Sequence, residues 1–451
     1  ARQKDMVSTL QFNYNPETPM EKFIVDGGVP LAGEITPAGN KNAALPLLAA
    51  CLLTEEPVIL HNVPQIRDVK DMRSLVESLG VQIEELSVST WKITARELHP
   101  ADLDPDLCRR IRASILLAAP VMVRSGELEI PPPGGDVIGR RRLDTHIQAF
   151  RALGAQVTFD RASLLFDFRS PADGLRGAIM LLDEASVLGT ENAVMAAVLA
   201  KGTTVISNAA SEPHVQQLCD LLNVLGAQIS GIGSNTLTIQ GVERLHGGEF
   251  TVGPDYLEVI SFVGAAVVTR GSIRVRNAGN QYLGMIRMVF NRMGVDWQVD
   301  GDDILVPAEQ RLVVEPDLGN AIPEIKTNIW PAFPTDLMSI AIAVATQAQG
   351  SILFHDWMYP SRMFFVDKLV GMGAQIVLCD PHRCIVTGPT RLFGEKAESP
   401  DIRAGMTLVL AALAAQGRSV IRNVGQIDRG YERVDEKLRA LGARIERQRE
   451  Q

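Results

Sequence analysis

Apolar residues along this chain recur at helical spacing in short segments that end at a glycine and give way to alternating apolar and polar residues. "DVKDMRSLVESLG" followed by "VQIEEL", and "RVDEKLRALG" followed by "ARIER", are two examples. The first spacing is typical of an amphipathic helix, and the alternation is typical of a half-buried strand. The glycine predicts a left-handed cap at the junction, because a residue without a Cβ adopts positive φ at little cost.

The same helix, glycine and strand recur six times along the chain. The glycines lie 68 to 79 residues apart, which indicates a repeated unit. In most units an Ala-rich helix also precedes a β-branched strand that ends in Asn or Asp, as in "KGTTVISN" and "QGRSVIRN". Each unit is therefore predicted to follow a βαβαββ-like order. The six glycines are Gly80, Gly154, Gly226, Gly294, Gly373 and Gly442.

Some of these helices carry small apolar residues on nearly every face, as in "MTLVLAALAAQG". Such a helix must be buried all round, so the pattern predicts an α/β protein with helices inside and sheets outside. Six units most simply form two domains of three units each. The predicted parts are a polar extension at 1–20, domain one at 43–253, and domain two made of 21–42 joined to 254–451, with crossings near Gly39–Asn42 and Pro254–Asp255.

The charge of the chain limits its partners. Its 451 residues carry a formal net charge of −9, with 46% hydrophobic and 22% charged residues, an ordinary balance for a folded globular protein. The acidic excess argues against nucleic-acid binding and against binding to anionic membranes. An anionic ligand would have to be held by local basic clusters.

The cysteines and the N-terminal residues predict a cytoplasmic protein. The five cysteines form no CxxC pair and no zinc-type spacing, so we expect reduced, mostly buried thiols and no metal. No apolar run approaches the roughly 18 residues of a membrane span. The first residues lack the apolar core of a signal peptide. The cysteines are Cys51, Cys108, Cys219, Cys379 and Cys384.

Charged loops supply candidate chemistry. "PPPGGDVIGRRRLDTH", at 131–146, cannot be the middle of a helix or a central strand, and it places Asp136 on a glycine turn beside an arginine cluster. Equivalent turns of a repeat lie on equivalent faces, so a cleft between the domains would gather Arg141, Glu212, Arg362 and Arg429. Such a cluster predicts an anion site. The alternative is a set of ordinary solvated loops with surface ion pairs.

Seven motifs of the chain resemble those of one enzyme family. "GNKNAALPLLAA", "RASI", "PGGDVIGRRRLDTH", "NAASEP", "PAFPTD", "DIRA" and "QIDRGYERV" resemble the UDP-N-acetylglucosamine enolpyruvyl transferases, from about Glu21 to the C-terminus. The sister family, the enolpyruvyl-shikimate-phosphate synthases, carries a GNAGT-type segment that this sequence lacks. The resemblance implies an inside-out α/β barrel. It also implies the first committed step of peptidoglycan synthesis, transfer of the enolpyruvyl group of phosphoenolpyruvate to the 3-hydroxyl of UDP-N-acetylglucosamine.

The resemblance further implies roles for individual residues. The phosphoenolpyruvate set is Lys41, Arg112, Arg141, Arg362 and Arg429, of which the last two would clamp the carboxylate. The nucleotide-sugar set is Asn42, Arg112, Arg141, Asp144, His146, Ser186, Glu212, Asp336 and Met358. Catalysis falls to Lys41, Asp136, Asp336 and Arg429, with Asp255, Asp401 and Arg403 supporting the cleft.

The implied reaction is an addition followed by an elimination, without a metal or an organic cofactor. It needs one group that accepts the hydroxyl proton, here Asp336, and another that gives and later removes a proton at C3. The resemblance assigns the second role to Asp136, where most members carry cysteine. Fosfomycin alkylates that cysteine, so this protein is expected to be insensitive to the drug. The alternative for Asp136 is an Asx-turn residue that stabilises the glycine loop.

Four positions depart from the family pattern. Glu184 stands where some members have lysine, and Leu188 where they have glycine. Met338 replaces a usual glutamine, and Gln426 replaces a frequent histidine. These departures leave open a paralogue that uses another nucleotide sugar, or a catalytically silent nucleotide-sugar-binding regulator.

Overall fold

Six small sheets surround two groups of buried helices. The computed structural model describes residues 21–135, 141–359 and 361–449, so the N-terminal extension and Asp136 lie outside the described residues. No helix in those ranges is both long and apolar enough to cross a membrane. Four of the cysteines are buried, as predicted, and Cys379 is exposed.

The helices alternate between two kinds. Those that precede a repeat glycine are amphipathic and lie outside, whereas the Ala-rich ones are almost wholly buried; every residue of the helices at 256–268 and 338–345 is buried. The helices are α1 (Lys41–Ala50), α2 (Arg67–Ser78), α3 (Pro105–Cys108), α4 (Ala118–Ser125), α5 (Asp144–Ala152), α6 (Val187–Ala197), α7 (Pro213–Val224), α8 (Tyr256–Val268), α9 (Gly284–Asn291), α10 (Met338–Ala345), α11 (Val366–Gly371), α12 (Ile402–Ala414) and α13 (Val434–Ala440).

The strands form five four-stranded sheets and one three-stranded sheet within the described ranges. Their inward positions are buried and their outward positions exposed, as in the strand at 236–240, where Leu237 and Ile239 are buried and the other three residues are exposed. The strands are β1 (Glu21–Asp26), β2 (Ala32–Ile35), β3 (Val58–His61), β4 (Gln82–Ser87), β5 (Thr90–Thr94), β6 (Glu127–Ile130), β7 (Gln156–Asp160), β8 (Leu165–Arg169), β9 (Ile179–Leu181), β10 (Thr203–Ser207), β11 (Gln228–Ser230), β12 (Thr236–Gln240), β13 (Gly248–Thr251), β14 (Ser272–Val275), β15 (Gln298–Asp300), β16 (Asp303–Val306), β17 (Glu324–Lys326), β18 (Gly350–His355), β19 (Gln375–Asp380), β20 (Arg383–Gly388), β21 (Lys396–Glu398), β22 (Arg418–Arg422) and β23 (Arg444–Arg449).

The repeat predicted from the sequence is present in the backbone. The unit β9–α6–β10–α7–β11–β12 shows the βαβαββ order, with β9 parallel to β10 and the other pairs antiparallel. All six repeat glycines have positive φ, between 73° and 102°, which confirms the predicted left-handed junctions. Four asparagines that follow the β-branched strands of the repeat are also left-handed, at Asn62, Asn208, Asn277 and Asn423.

Two strand exchanges join the halves of the molecule. β2 precedes α1 in the chain but pairs with β14, and β13 precedes α8 but pairs with β3. The two connecting segments run side by side, because Gly39 and Pro254 form an antiparallel bridge. The Asn40 N–H donates to the Gly253 carbonyl at 2.8 Å, and the Asp255 N–H donates to the Ala38 carbonyl at 2.9 Å.

The buried side chains form two separate clusters. One is built from residues between Ala43 and Val252 around α1, α4 and α6. The other joins Phe23, Val25 and Leu31 to the segment from Tyr256 onwards around α8, α10 and α12. The three inner helices of the second cluster pack against one another. The first and last strands share a sheet, because β1 lies between β22 and β23.

Candidate active site

The inner helices all begin at one cavity. Its volume is about 240 Å³, and it lies between the two buried clusters. Because the backbone N–H groups of a first helical turn have no partner within the helix, converging helix starts favour an anion. The cavity is lined by the first residues of α1 (Lys41), α6 (Val187), α8 (Tyr256) and α12 (Ile402), and by the starts of the short 3₁₀ turns that lead into α4 (Arg112) and α10 (Thr335).

Side-chain caps fix several of these helix starts. Asn40 Oδ1 accepts from the Ala43 N–H at 3.1 Å, and Ser186 Oγ accepts from the Gly189 N–H at 3.2 Å. Asp255 and Asp401 cap α8 and α12 in the same way. Cap residues hold the first turn in place, so they position the side chains that the first turn presents. Asp255 and Asp401 therefore fix the first turns of α8 and α12 and are not among the residues that line the cavity.

Six cationic side chains are among the described residues that line the cavity: Lys41, Arg112, Arg141, Arg362, Arg403 and Arg429. Three buried guanidinium nitrogens have no hydrogen-bond partner among the described residues, namely Nε of Arg112, Nε of Arg362 and Nη1 of Arg403. A buried N–H without an acceptor is costly, and a bound oxyanion would remove that cost. The predicted gathering of Arg141, Glu212, Arg362 and Arg429 in one cleft is what the structure shows.

Arg112 and Arg141 form a cationic pair at one side. Arg112 Nη2 donates to the carbonyls of Arg141 and Arg142 at 3.0 and 3.1 Å. Burial and the charge of Arg141 lower the pKa of Arg112 to about 10. Two guanidinium groups held together in a partly buried place are repelled by each other unless an anion lies between them.

Asp336 lies between two arginines. Its Oδ1 accepts from Arg362 Nη1 at 2.7 Å, and its Oδ2 faces Arg403 at 3.3 Å. Burial acts to raise the pKa of Asp336, but the charges of Arg362 and Arg403 outweigh it and hold that pKa well below its usual range. Asp336 is therefore a carboxylate at neutral pH in the free protein.

Asp68, at the start of α2, joins the two sides of the cavity. Its Oδ2 lies 2.6 Å from Lys41 Nζ, and its Oδ1 accepts from Arg429 Nε at 2.9 Å. Burial opposes the charge of Asp68, but Lys41 and Arg429 lower its pKa. Asp68 was not predicted from the sequence. Its only signal was the turn "NVPQIRD", an acid at the first turn of a helix.

Several predicted sugar ligands lie away from the cavity wall. His146 is buried and its Nδ1 lies 2.9 Å from Asn192 Nδ2; burial and the charge of Arg112 lower its pKa to about 3. Asp144 pairs with Arg142 at 3.1 Å, on an exposed face. Ser186 is the cap of α6. In contrast, Asn42, Glu212, Asp336 and Met358 line the cavity.

The described residues that lead to Asp136 lie at the site. Gly135 lines the cavity. A Cβ on Gly134 would lie 1.7 Å from the Arg109 carbonyl oxygen, and one on Gly135 would lie 2.9 Å from Arg112 Cβ. The two glycines are therefore needed for the loop to pack against the segment that presents Arg112. Asp136 itself is outside the described residues.

Other lining residues were also absent from the sequence prediction. They include two buried groups, Glu191 and His214, and a set of aromatic residues: Tyr256, Trp330 and Tyr359. Burial lowers the pKa of His214 to about 4, although the charge of Asp336 opposes this, so the imidazole is neutral at pH 7. Glu191 belongs to the Ala-rich helix α6, where the sequence pattern indicated only core.

Comparisons with known proteins identify the class. The model of the EPSP synthase (3-phosphoshikimate 1-carboxyvinyltransferase) family matches residues 25–438. Among solved structures, the enolpyruvyl transferase NikO from Streptomyces tendae has a TM-score of 0.84 at 22% identity, covering 96% of this chain and 100% of that one. An EPSP synthase from Acinetobacter baumannii has a TM-score of 0.72 at 17% identity, covering 95% and 100%. These two likenesses confirm the predicted fold.

Relatives of higher sequence identity show to which group within this class the chain belongs. A protein of Bradyrhizobium diazoefficiens named UDP-N-acetylglucosamine 1-carboxyvinyltransferase is 54% identical over 426 residues, 94% of this chain and 98% of that protein. A protein of the same name from Treponema denticola is 51% identical over 427 residues, covering 95% and 99%. The chain therefore belongs to the EPSP synthase family and, within it, to the UDP-N-acetylglucosamine 1-carboxyvinyltransferases.

Proposed function

We propose that this protein is a transferase that moves the enolpyruvyl group of phosphoenolpyruvate to the 3-hydroxyl of UDP-N-acetylglucosamine and releases phosphate. The observation that carries the proposal is the cavity itself. Six cations and six helix starts surround it, and three guanidinium nitrogens have no acceptor among the described residues. Both substrates are polyanions, which planar arginines bind through paired hydrogen bonds. The names of the relatives supply the nucleotide sugar and the 1-carboxyvinyl group that is transferred to it.

The reaction is assigned to the cavity residues as follows. The sugar oxygen attacks C2 of phosphoenolpyruvate while a proton is added at C3, which gives a tetrahedral intermediate. Phosphate then leaves C2 as C3 loses a proton, so the double bond is restored. Asp336 accepts the hydroxyl proton, and Asp136 gives and later removes the proton at C3.

The base strength of Asp336 depends on the ligand. In the free protein Arg362 and Arg403 keep its pKa low, so it is a weak base. Arg362 is also a proposed partner of the phosphoenolpyruvate carboxylate. When that carboxylate shares the guanidinium, Asp336 loses part of its stabilisation, and its pKa rises toward the value that proton transfer requires.

Lys41 and Arg429 are proposed to hold the phosphate and the carboxylate of phosphoenolpyruvate. Asp68 positions both cations, because one of its oxygens faces each of them. Arg112 and Arg141 are proposed to bind the phosphates of either substrate, and Asn42 the sugar. The remaining proposed sugar contacts are Glu212 and Met358 at the cavity, with Asp144, His146 and Ser186 around it. Residues 43–253 and 21–42 with 254–451 are proposed as the two domains that share the site.

The setting of the reaction follows from its substrates. A nucleotide sugar and phosphoenolpyruvate are metabolites of the cytoplasm, where we place the protein, in peptidoglycan synthesis. The addition and elimination use side-chain acids and bases together with cations, and the proposal includes no metal ion, organic cofactor or nucleic-acid partner.

A phosphate-release assay tests this function. The protein with both substrates should release one phosphate for each enolpyruvyl-UDP-N-acetylglucosamine formed, and omission of either substrate should abolish release. Asp336→Asn is the matched variant, since it keeps size and hydrogen bonding but cannot take a proton. Phosphate release with a different nucleotide sugar alone would contradict the substrate assignment. Binding of UDP-N-acetylglucosamine without any release would show a regulator instead.

A further inference from the structure

Arg403 is the less tightly held of the two arginines at Asp336. Its Nε and Nη2 both lie 3.3 Å from Asp336 Oδ2, whereas Arg362 Nη1 lies 2.7 Å from Asp336 Oδ1. The Arg403 side chain is buried, and its Nη1 has no partner among the described residues. Contacts of 3.3 Å are longer than most N–H···O hydrogen bonds, so a second contact must fix the position of this guanidinium.

Tyr431 supplies that second contact. The central carbon of the Arg403 guanidinium lies 5.6 Å from the centroid of the Tyr431 ring, within the range of a cation–π contact. Burial acts to lower the pKa of Arg403, but the charge of Asp336 together with Tyr431 raises it, and the contribution of Tyr431 includes a side-chain hydrogen bond. Tyr431 is buried and is not among the described residues that line the catalytic cavity. It therefore contacts Arg403 from the protein interior and not from the side of the ligand.

The Tyr431 hydroxyl belongs to a chain of hydrogen bonds with one direction. Ser261 Oγ lies 2.8 Å from the Tyr431 oxygen and 2.7 Å from the Leu257 carbonyl oxygen. A carbonyl only accepts and a serine hydroxyl has one hydrogen, so Ser261 donates to Leu257 and Tyr431 donates to Ser261. The lone pairs of the Tyr431 oxygen are then left for the N–H groups of Arg403. The chain runs from Arg403 through Tyr431 and Ser261 to the first turn of α8.

The far end of this chain is fixed by the core. Leu257 and Ser261 belong to α8, every residue of which is buried, and Asp255 caps its first turn. Tyr431 and Leu257 lie in the same buried cluster. An ordinary core tyrosine needs a partner only for its hydroxyl, and Ser261 is such a partner. The ring of Tyr431 against a buried guanidinium is the further observation that points to a role in the site.

We propose that Tyr431 is a positioning residue that holds Arg403 beside Asp336 during the reaction. This rests on the proposed function, in which the phosphoenolpyruvate carboxylate shares Arg362. Arg403 is then the cation that stays with Asp336 in the loaded site, so its position fixes the direction of the carboxylate that accepts the proton. Because proton transfer depends on that geometry, turnover depends on a phenol that acts only through Arg403.

Tyr431→Phe tests this role, because it keeps the ring and removes the hydroxyl. We expect kcat for phosphate release to fall about tenfold, the scale of one lost hydrogen bond, while the KM of each substrate stays within about twofold. Tyr282→Phe is the matched control, since Tyr282 is partly buried and is not among the described residues that line the catalytic cavity. Its kcat should stay within about twofold of the wild-type value.

Double variants separate positioning from a structural role. Arg403→Lys removes the planar group that Tyr431 holds, so adding Tyr431→Phe to it should lower kcat by less than about twofold further. Ser261→Ala removes the acceptor of the Tyr431 hydroxyl; it should lower kcat about threefold and add nothing to Tyr431→Phe. A hydroxyl that only stabilises the fold would act by the same factor in every background.

Three results would overturn the positioning role and leave the proposed function intact. An unchanged kcat in Tyr431→Phe, whatever its melting temperature, would make Tyr431 an ordinary core residue. Equal factors in the wild-type and Arg403→Lys backgrounds would show that Tyr431 does not act through Arg403. A raised KM with an unchanged kcat would place its effect on binding. A wild-type protein that releases no phosphate in the presence of both substrates would refute the proposed function, and the role of Tyr431 with it.

Discussion

At the scale of single residues, the proposed phosphoenolpyruvate clamps are already held by acids. Arg362 is bound to Asp336, and Arg429 is bound to Asp68 with Nε at 2.9 Å. An arginine fixed in this way loses little side-chain entropy when a ligand arrives. Its planar group keeps further N–H donors for the ligand, which a lysine cannot reproduce.

Arg429→Lys tests this arrangement. We expect weaker use of phosphoenolpyruvate by about 1.5–3 kcal/mol in kcat/KM, the scale of a charge-assisted hydrogen bond, with little change in UDP-N-acetylglucosamine affinity. Arg418→Lys is the matched control, because Arg418 makes a two-point contact with Asp26 at 2.8 and 2.9 Å on an exposed sheet face. A loss of nucleotide-sugar affinity with unaffected phosphoenolpyruvate use would refute the role of Arg429.

Asp136 leads to a second prediction. A carboxylate is a poor nucleophile toward the epoxide of fosfomycin compared with a thiolate, so the wild-type protein should turn over in the drug and gain no covalent mass. Asp136→Cys should stay active and become sensitive. Asp136→Asn should lose most turnover but still bind UDP-N-acetylglucosamine, because an amide cannot carry the proton. Mass spectrometry and phosphate release measure these outcomes, and stoichiometric alkylation of the wild type would exclude the assignment.

Glu212 predicts a pH effect on stability. Its pKa rises from an ordinary 4.5 to about 7 in the folded protein. Because the folded pKa is the higher one, the proton stabilises the fold fully below about pH 4.5, and this contribution is lost as the pH rises toward 7. Glu212→Gln should therefore gain about 1–3 kcal/mol relative to wild type between pH 5 and pH 8 in urea unfolding. Glu243→Gln, at an exposed position, should show no such gain.

The residue-level site was only partly predictable from the sequence. Arginines in charged loops stand out, and Arg141, Arg362 and Arg429 were found in that way, whereas Arg112 and Arg403 came from the resemblance to a known family. Asp68 and Glu191 were not found, because each belongs to a helix whose pattern is explained by packing alone. What brings these two acids to the cavity is the convergence of helices that are far apart in sequence, and a single sequence does not show that convergence.

At the scale of elements, a junction glycine can be compared with an ordinary glycine at the end of a helix. Gly442 has a φ of 96° and Gly371 ends α11 with ordinary φ, and a Cβ at either would meet no atom within 4 Å. Gly442→Ala should lower the free energy of unfolding by about 1–2 kcal/mol, because only its backbone conformation is strained by a Cβ. Gly371→Ala should be neutral or slightly stabilising. Equal effects in urea unfolding would refute the conformational explanation.

The elements themselves were largely predictable, for a physical reason. A left-handed residue after an amphipathic helix needs glycine, so each junction leaves a mark in the sequence. The crossings near Gly39–Asn42 and Pro254–Asp255 were predicted from the repeat, but the partner strands of β2 and β13 were not, because the apolar pattern of a four-residue strand does not identify its partner. That pairing is decided by contacts between residues that are far apart in the sequence.

At the scale of the whole molecule, few polar contacts are seen to cross the cavity among the residues that the structure describes. Besides Arg429 and Asp68, the Gln65 N–H donates to Glu432 at 2.7 Å, and Ser211 Oγ donates to the Trp330 carbonyl at 3.4 Å. The two connecting segments lie side by side at Gly39 and Pro254, and we expect a hinge between the halves at this place. Asp68 and Asp336 neutralise only part of the charge of the six cations, so the remaining positive charge is repulsive until an anion binds. We therefore expect the free protein to favour an open arrangement of the two halves, and the bound ligand to favour a closed one.

The final prediction is ligand-driven closure. Saturating UDP-N-acetylglucosamine should reduce the radius of gyration in small-angle X-ray scattering, because its phosphates neutralise the cations and its sugar contacts both halves. Closure expels water and brings Arg362 and Arg429 toward the loop of Asp136, which strengthens their action on the developing charge. UDP, which carries the phosphates but lacks the sugar that contacts both halves, is the control and should change the profile less. Identical profiles with and without the nucleotide sugar would show that the site is assembled before binding, and that its cationic side chains are held together by the fold alone.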